Sequence, residues 1–323
     1  GDRVRWGLEF YNTEQGGRIA KEMTDDIASS MVTAIELDKP GSWTPMAEAL
    51  WTATGYFAQS PVTGDRGPRY YVPNAQSYRV GTDSDPYNFG TGGTPEYISC
   101  AKSFVLVITD GEPTRDLNLP DQITGYDSPY TDGDGPVPDW AGPADPNYFW
   151  YGGNNGSHYT DDVALMNHVD VVGKEYRDLR PDLEGNQYLT DYFVYAAFGD
   201  PSPDGRRLLQ QAARNGGFED MNGNFVPDLP EEYDRDGDGN PDTYFEAPEG
   251  DSLAESLSAA IVDILRRTSS GTAVSILSTS AHGEGSLFQA YFKPEEISYM
   301  AGQTARTNWL GYLHGLWVDD HGN

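Results

Sequence analysis

The chain has 323 residues, with 51 acidic against 21 basic side chains and a formal net charge of -30. That balance argues against nucleic acid and anionic membranes as partners, since both reward Lys and Arg. No apolar run approaches the length of a membrane span, no signal peptide is present, and the single Cys100 excludes an internal disulfide framework and a thiolate cluster within the chain.

The length suffices for one large domain or two smaller ones. Only 37% of residues are apolar, and 37 glycines with 22 prolines imply long polar insertions. Cys100 reads either as a small buried side chain before a strand or as a thiol for another chain.

The elements alternate as in an α/β fold. Residues 4–10 predict a short strand, with residues 18–23 as an edge strand beside it. Residues 25–37 predict an amphipathic helix with Ile27, Met31 and Ile35 on one face, and residues 45–57 predict another on Met46, Leu50 and Ala53. The run Ser103-Phe-Val-Leu-Val-Ile108 has the composition of a central parallel strand covered on both faces. A helix is predicted over 161–179, a strand over 192–198, and a helix over 206–214 ending at Gly216-Gly217. Ser252-Leu-Ala-Glu255 is a capping-box pattern opening a helix with Leu253, Leu257, Ile261, Ile264 and Leu265 on one stripe. After Thr268 only strands follow, at 273–277, 286–292 and 310–318, which places a domain boundary near 268–272.

Three insertions, roughly 58–100, 113–160 and 219–244, interrupt this pattern, and loops of such length are commonly functional or disordered. The second carries Asp132, Asp134 and Asp139, then Tyr148-Phe149-Trp150-Tyr151 beside a Gly/Asn run. Those aromatics suit recognition or pin the insertion onto the domain.

The third insertion carries a repeat. Asp220, Asn222, Asn224 and Asp228 stand at relative positions 1, 3, 5 and 9, and Asp234, Asp236, Asp238 and Asp242 repeat them fourteen residues later, with Asn240 at position 7. Oxygens at that spacing wrap a hard cation, and their number suits calcium better than magnesium. Gly239 supplies the sharp turn at position 6, where the first copy has Phe225. Glu231 stands at position 12 of the first copy. The second has Phe245 there, so Glu246 or a ligand from the other loop must complete it. The competing reading is a solvated acidic linker, because residues 219–251 hold twelve acidic side chains and one basic one, Arg235.

Thr109-Asp110-Gly111-Glu112 ends the apolar strand, where ligands of open α/β sheets gather, and Thr44 precedes a helix. Taken alone, Asp110 serves a turn and Thr44 a helix cap. Together they resemble the von Willebrand factor A domain, whose threonine loop and Thr-Asp-Gly strand end contribute to a metal-ion-dependent adhesion site. The resemblance implies a doubly wound, mostly parallel sheet over residues 1–267, with Thr44 and Asp110 as ligands of Mg2+ or Ca2+. The family's Asp-x-Ser-x-Ser motif on its first, central strand is absent at the right place; Asp83-Ser84-Asp85 is the nearest match. The chain therefore opens on what reads as the second strand. A preceding segment or a separate chain is expected to fill the gap between residues 4–10 and 103–108.

The segments Ser270-Gly-Thr-Ala-Val-Ser275, Gly283-Glu-Gly-Ser-Leu-Phe-Gln-Ala-Tyr-Phe292 and Trp309-Leu-Gly-Tyr-Leu-His-Gly-Leu316 are similar to the PilC/PilY family of type IV pilus-associated proteins. There the segment joins an A-type domain to a carboxyl-terminal β-propeller. The resemblance implies an exported protein at the cell surface or pilus tip, acting in adhesion and in pilus assembly or retraction. It implies pilins or other pilus-tip proteins as partners, and a host or surface ligand. The competing classes are a secreted metal-dependent hydrolase and a non-adhesive scaffold. Against the enzyme, the five histidines show no short metal-ligand spacing, and neither a Gly-x-Ser-x-Gly elbow nor a phosphate loop occurs.

Overall fold

A computed structural model of the chain describes residues 5–12, 16–24, 30–38, 43–59, 85–90, 94–98, 101–110, 112–120, 123, 156–170, 175–196, 202–268, 272–278, 285–300 and 303–318. Most of the insertions at 58–100 and 113–160, including Cys100, Asp132, Asp134, Asp139 and residues 148–151, lies outside them. The chain divides into units of residues 1–260 and 261–323.

In the first unit, β1 (Trp6–Tyr11) pairs antiparallel with β2 (Gly17–Thr24). Separately, β3 (Ser103–Thr109), β4 (Leu189–Tyr195) and β5 (Tyr244–Glu246) form a parallel sheet in the order β3-β4-β5. The fold is thus α/β with a parallel three-stranded sheet. The apolar run at 103–108 was expected to be the central strand, but β4 holds that place. All seven β4 residues are buried, whereas Val105 and Val107 are half-buried and Ile108 is 44% exposed. Apolar composition reports burial of faces, and both strands have covered faces; it does not report how many edges are paired.

Alternation along β4 sends side chains to two helical layers. Phe193 and Tyr195 pack with Leu50 and Trp51 of α2 (Met46–Ala58), Val163 of α3 (Thr160–His168) and Leu209 of α4 (Pro203–Gly217). Val194 and Ala196 face the other way, toward Leu253 and Leu257 of α6 (Gly250–Thr268). Two shorter helices complete the described set, α1 (Ser30–Leu37) and α5 (Pro230–Tyr233).

α2 is buried almost throughout, and its start is capped from a distance. Asp116 accepts the Ala47 N–H (3.0 Å) and the Glu48 N–H (2.9 Å), supplying oxygens for amides that have no partner inside the helix. The capping position itself is Pro45, so Thr44 is not the cap. α2 also holds the β1–β2 hairpin. Glu48 accepts the Gly16 N–H (2.8 Å), Thr52 the Gly17 N–H (3.2 Å), and the Tyr56 hydroxyl the Met23 N–H (2.9 Å).

Two helix boundaries differ from the sequence patterns. α3 stops at His168 instead of running to 179. Val169 is extended (φ -124°, ψ 156°) and bridges Tyr176, in line with the β-branched run Val169-Asp-Val-Val172. α6 begins at Gly250, so Ser252 lies inside its first turn, where its hydroxyl donates to the Glu249 carbonyl (2.7 Å).

In the second unit, β6 (Thr272–Ser278), β7 (Gly285–Met300) and β8 (Gln303–Val318) form an antiparallel sheet in the order β6-β7-β8. β7 and β8 are paired from Gly285↔Val318 to Met300↔Gln303, and the ladder skips Pro294, which has no N–H to give.

A polar thread crosses the first core. Thr54 on α2 donates to Asn167 on α3 (2.6 Å), and Asn167 donates to Asp191 Oδ2 on β4 (2.9 Å). Burial pushes the Asp191 carboxyl up to about 8, with the Asn167 hydrogen bond acting against it. A carboxyl raised in the folded state binds a proton that the unfolded chain has already lost. Its contribution is therefore full below about pH 4 and is lost as pH rises through about 8. Glu48, pushed up to about 7 by burial, acts in the same direction. Asp191→Asn keeps the shape and removes the ionisation, so it is expected to flatten the fall in stability between pH 5 and pH 8. Urea midpoints at the two pH values measure this, and an unchanged slope refutes it.

Candidate metal centre

The insertion after α4 is built from two loops on a common frame. In the second, Asp234 Oδ1 accepts the amides of Gly237 (2.9 Å) and Asp238 (3.1 Å), Asp236 accepts that of Asp238 (3.1 Å), and Asp238 accepts that of Asn240 (2.7 Å). In the first, Asp220 Oδ1 accepts the amides of Gly223 (2.9 Å) and Asn224 (3.2 Å), Asn222 that of Asn224 (3.0 Å), and Asn224 that of Val226 (2.8 Å). Position 1 thus binds the amides of positions 4 and 5, position 3 that of position 5, and position 5 that of position 7, in both copies. The oxygen pattern read from the sequence corresponds to a repeated backbone geometry.

Position 6 is left-handed in both loops. Gly239 has φ +92°, and Phe225 has φ +56° in the same place. A side chain there costs roughly 1–2 kcal/mol in a left-handed conformation. The Phe225 ring packs edge-on against Tyr176, 5.3 Å between centroids, which gives the bulky residue a contact glycine could not make.

The loops differ in how they close. Asp234, Asp236 and Asp242 place carboxylate oxygens within 4.8 Å of one another, a grouping able to hold a cation. Asp242 is also bound by Arg235, whose Nε donates to Oδ2 (2.7 Å), and Arg235 reaches Glu219 as well (3.1 Å). Asn240 Oδ1 accepts from the Gln210 side chain of α4 (2.8 Å), and its Nδ2 donates to Asp238 (3.2 Å). In the first loop, Asp228 accepts from the side-chain amides of Asn222 (2.8 Å) and Asn224 (2.9 Å).

Of the residues expected at position 12, Glu231 is exposed on α5. Its neighbour Glu232, which the spacing did not single out, is 1% exposed and binds the amides of Met221 (3.0 Å) and Leu229 (3.2 Å). Glu246 sits on β5, tied to Arg206 and to the Tyr244 hydroxyl (2.7 Å). The pair is anchored to the core at its far end. The Asp242 N–H donates to the Tyr233 carbonyl (2.6 Å), Thr243 donates to Ala213 of α4 (3.0 Å), and its carbonyl accepts from Phe193 of β4 (2.9 Å).

Thr44 is bound to Thr114, four residues beyond Asp110 in the chain. Thr44 accepts from the Thr114 N–H (2.9 Å) and donates its own N–H to the Thr114 hydroxyl (2.7 Å), which clasps the start of α2 to the segment after β3. Asp110 is exposed at the end of β3. Among the described residues, the acidic grouping able to hold a metal contains neither of them. Asp85, the last residue of the nearest Asp-x-Ser-like match, is 5% exposed and pairs with Arg180 (2.8 Å), so it serves the core.

Compared with models of known protein families, with characterised proteins and with solved structures, the chain matches none of them.

Two glutamates separate ligand from scaffold. Glu232→Gln is expected to loosen both loops, seen as faster amide exchange over 219–233 with or without calcium. Glu231→Gln is expected to leave that exchange unchanged and to weaken calcium binding at the first loop. Equal behaviour of the two variants refutes the distinction.

Proposed function

We propose that this protein is a calcium-binding, surface-exposed component of type IV pili of the PilC/PilY kind, with a von Willebrand factor A-like first domain, acting in adhesion and in pilus assembly or retraction. The single observation that carries the calcium part is the shared frame of the loops at 220–228 and 234–242. Both loops repeat the same side-chain-to-amide pattern, left-handed turn included, and so gather their oxygens in one common register. Asp234, Asp236 and Asp242 form the nucleus of the stronger site. A bound cation also relieves part of the self-repulsion of a chain with net charge -30. Weaker loops of this type work at extracellular calcium concentrations.

The A-like reading is supported by parallel strands with helices on both faces and by the clasp that brings the Thr44 and Asp110 segments together. The pilus reading is carried by the sequence resemblance of residues 270–316.

Calorimetric titration with calcium tests the first part. Asp236→Ala is expected to lower affinity at one site by tenfold or more, about 1.4 kcal/mol, and an unchanged titration refutes the assignment. Binding of the calcium-loaded protein to host cells, lost on chelation, separates an adhesin from a scaffold. Turnover of generic ester or peptide substrates would point instead to the hydrolase.

A further inference from the structure

His168, the last residue of α3, is 2% exposed and meets a backbone carbonyl at each ring nitrogen. Nδ1 lies 2.9 Å from the Leu189 oxygen at the start of β4, and Nε2 lies 2.8 Å from the Phe218 oxygen just after α4. A carbonyl oxygen accepts hydrogen bonds and cannot donate them. A neutral imidazole has one N–H and one lone pair. It would satisfy one of these oxygens and press its lone pair against the other, with no room for a water between them. The imidazolium, with an N–H on both nitrogens, fits both partners at these distances.

Burial by itself disfavours the cation, so the surroundings have to favour it. The ring stands at the carboxyl end of α3, where the last carbonyls of a helix attract positive charge. Glu219 and Asp220 act on the hydroxyl of Tyr176, whose ring meets His168 edge-on at 5.3 Å, so negative charge lies close by. Tyr188 (5.1 Å) and Phe218 (4.8 Å) enclose the imidazole further. Arg177 donates its N–H to the His168 carbonyl (2.9 Å), and its side chain pairs with Asp170 (3.8 Å). On β4, Asp191 is bound to Asn167, the neighbour of His168 on α3.

The same cluster reaches the first acidic loop. The Asp220 N–H donates to the Tyr176 hydroxyl (3.2 Å), and Phe225 packs edge-on against the Tyr176 ring, which stacks on Tyr188 (4.5 Å). The second loop is fastened elsewhere, by Asp242 to Tyr233, by Asn240 to Gln210 and by Thr243 to Ala213.

We propose that His168 is held as an imidazolium that staples α3, the start of β4 and the end of α4 together, and that loss of its second proton releases the first acidic loop and not the second. Both bonds stand while the ring is doubly protonated, and one is lost as pH rises through its titration. The proposal rests on hydrogen-bond geometry and stands whatever either loop binds.

Side-chain nitrogen spectra by NMR test the charge, on the calcium-free protein, with His168 assigned through its contacts with the Phe218 and Tyr188 rings. At pH 7.5 a histidine in an unfolded chain is about nine-tenths neutral. Both His168 nitrogens are expected to carry protons there, and the pattern of either neutral tautomer overturns the proposal. Backbone spectra test the coupling as pH is raised until the ring loses its second proton. The amide signals of Asp220, Gly223 and Asn224 are expected to shift together with the ring, while those of Gly237 and Asp238 stay in place. Loop signals that ignore the ring, or two loops responding alike, overturn the coupling. Asp191→Asn removes the buried β4 carboxyl that titrates at about 8, and the joint shift is expected to persist in it. Its disappearance would assign the response to Asp191 and overturn the role of His168. Tyr176→Phe keeps the ring but removes the acceptor of the Asp220 amide. It is expected to leave the His168 pattern intact and to abolish the loop's response, and an unchanged response overturns the route through Tyr176.

Discussion

The structure depends on a single buried strand. β4 is paired on both edges and covered on both faces, so each of its residues is constrained by an element distant in sequence. Phe193 and Tyr195 set the spacing of α2, α3 and α4, and Val194 sets that of α6. Close approach tightens the same arrangement. A Cβ on Gly216 would lie 2.9 Å from the Asp191 Cβ and 3.0 Å from the Ala164 Cβ, so the glycine is what lets α4 lie against β4 and α3. The buried Asp191 sits at this contact and is tolerated because burial keeps its carboxyl protonated at neutral pH.

The acidic insertion obeys a different rule. Its loops contribute little apolar surface: Met221, Val226 and Leu229 are all exposed. Their shape comes from short-range bonds between carboxylate or amide oxygens and backbone amides within the same turn. Such bonds set the backbone path locally, and Glu232, Thr243 and Asp242 then fasten that path to the sheet. The oxygens are thereby gathered by bonds within the chain itself. Arg235 partly neutralises them, and it is the only basic residue between 219 and 251.

Much of this was legible in the sequence. The periodicity behind α2 and α6 and the loop repeat at positions 1, 3 and 5 are local patterns, and each reappears as local structure. The strands of the first unit other than β5 were placed within three residues, with β4 beginning at Leu189 instead of 192. β5 was not foreseen, and β7 and β8 run well beyond the expected 286–292 and 310–318. The inner partner of the first loop was not legible. Glu231 and Glu232 are adjacent and chemically alike, and which one turns inward depends on the amides of Met221 and Leu229 folding back to meet it.

By itself, then, the sequence determined the α/β class, the main helices and the register of the acidic loops, because periodicity and side-chain-to-backbone bonding act over a few residues. Tertiary structure alone decided that β4 and not β3 is central and that Asp116 caps α2 from 69 residues away. It also decided that Leu8 and Phe10 of β1 and Phe104 and Leu106 of β3 line one cavity. Strand partners and buried acceptors are set by segments distant along the chain, and no local pattern encodes which distant segment arrives.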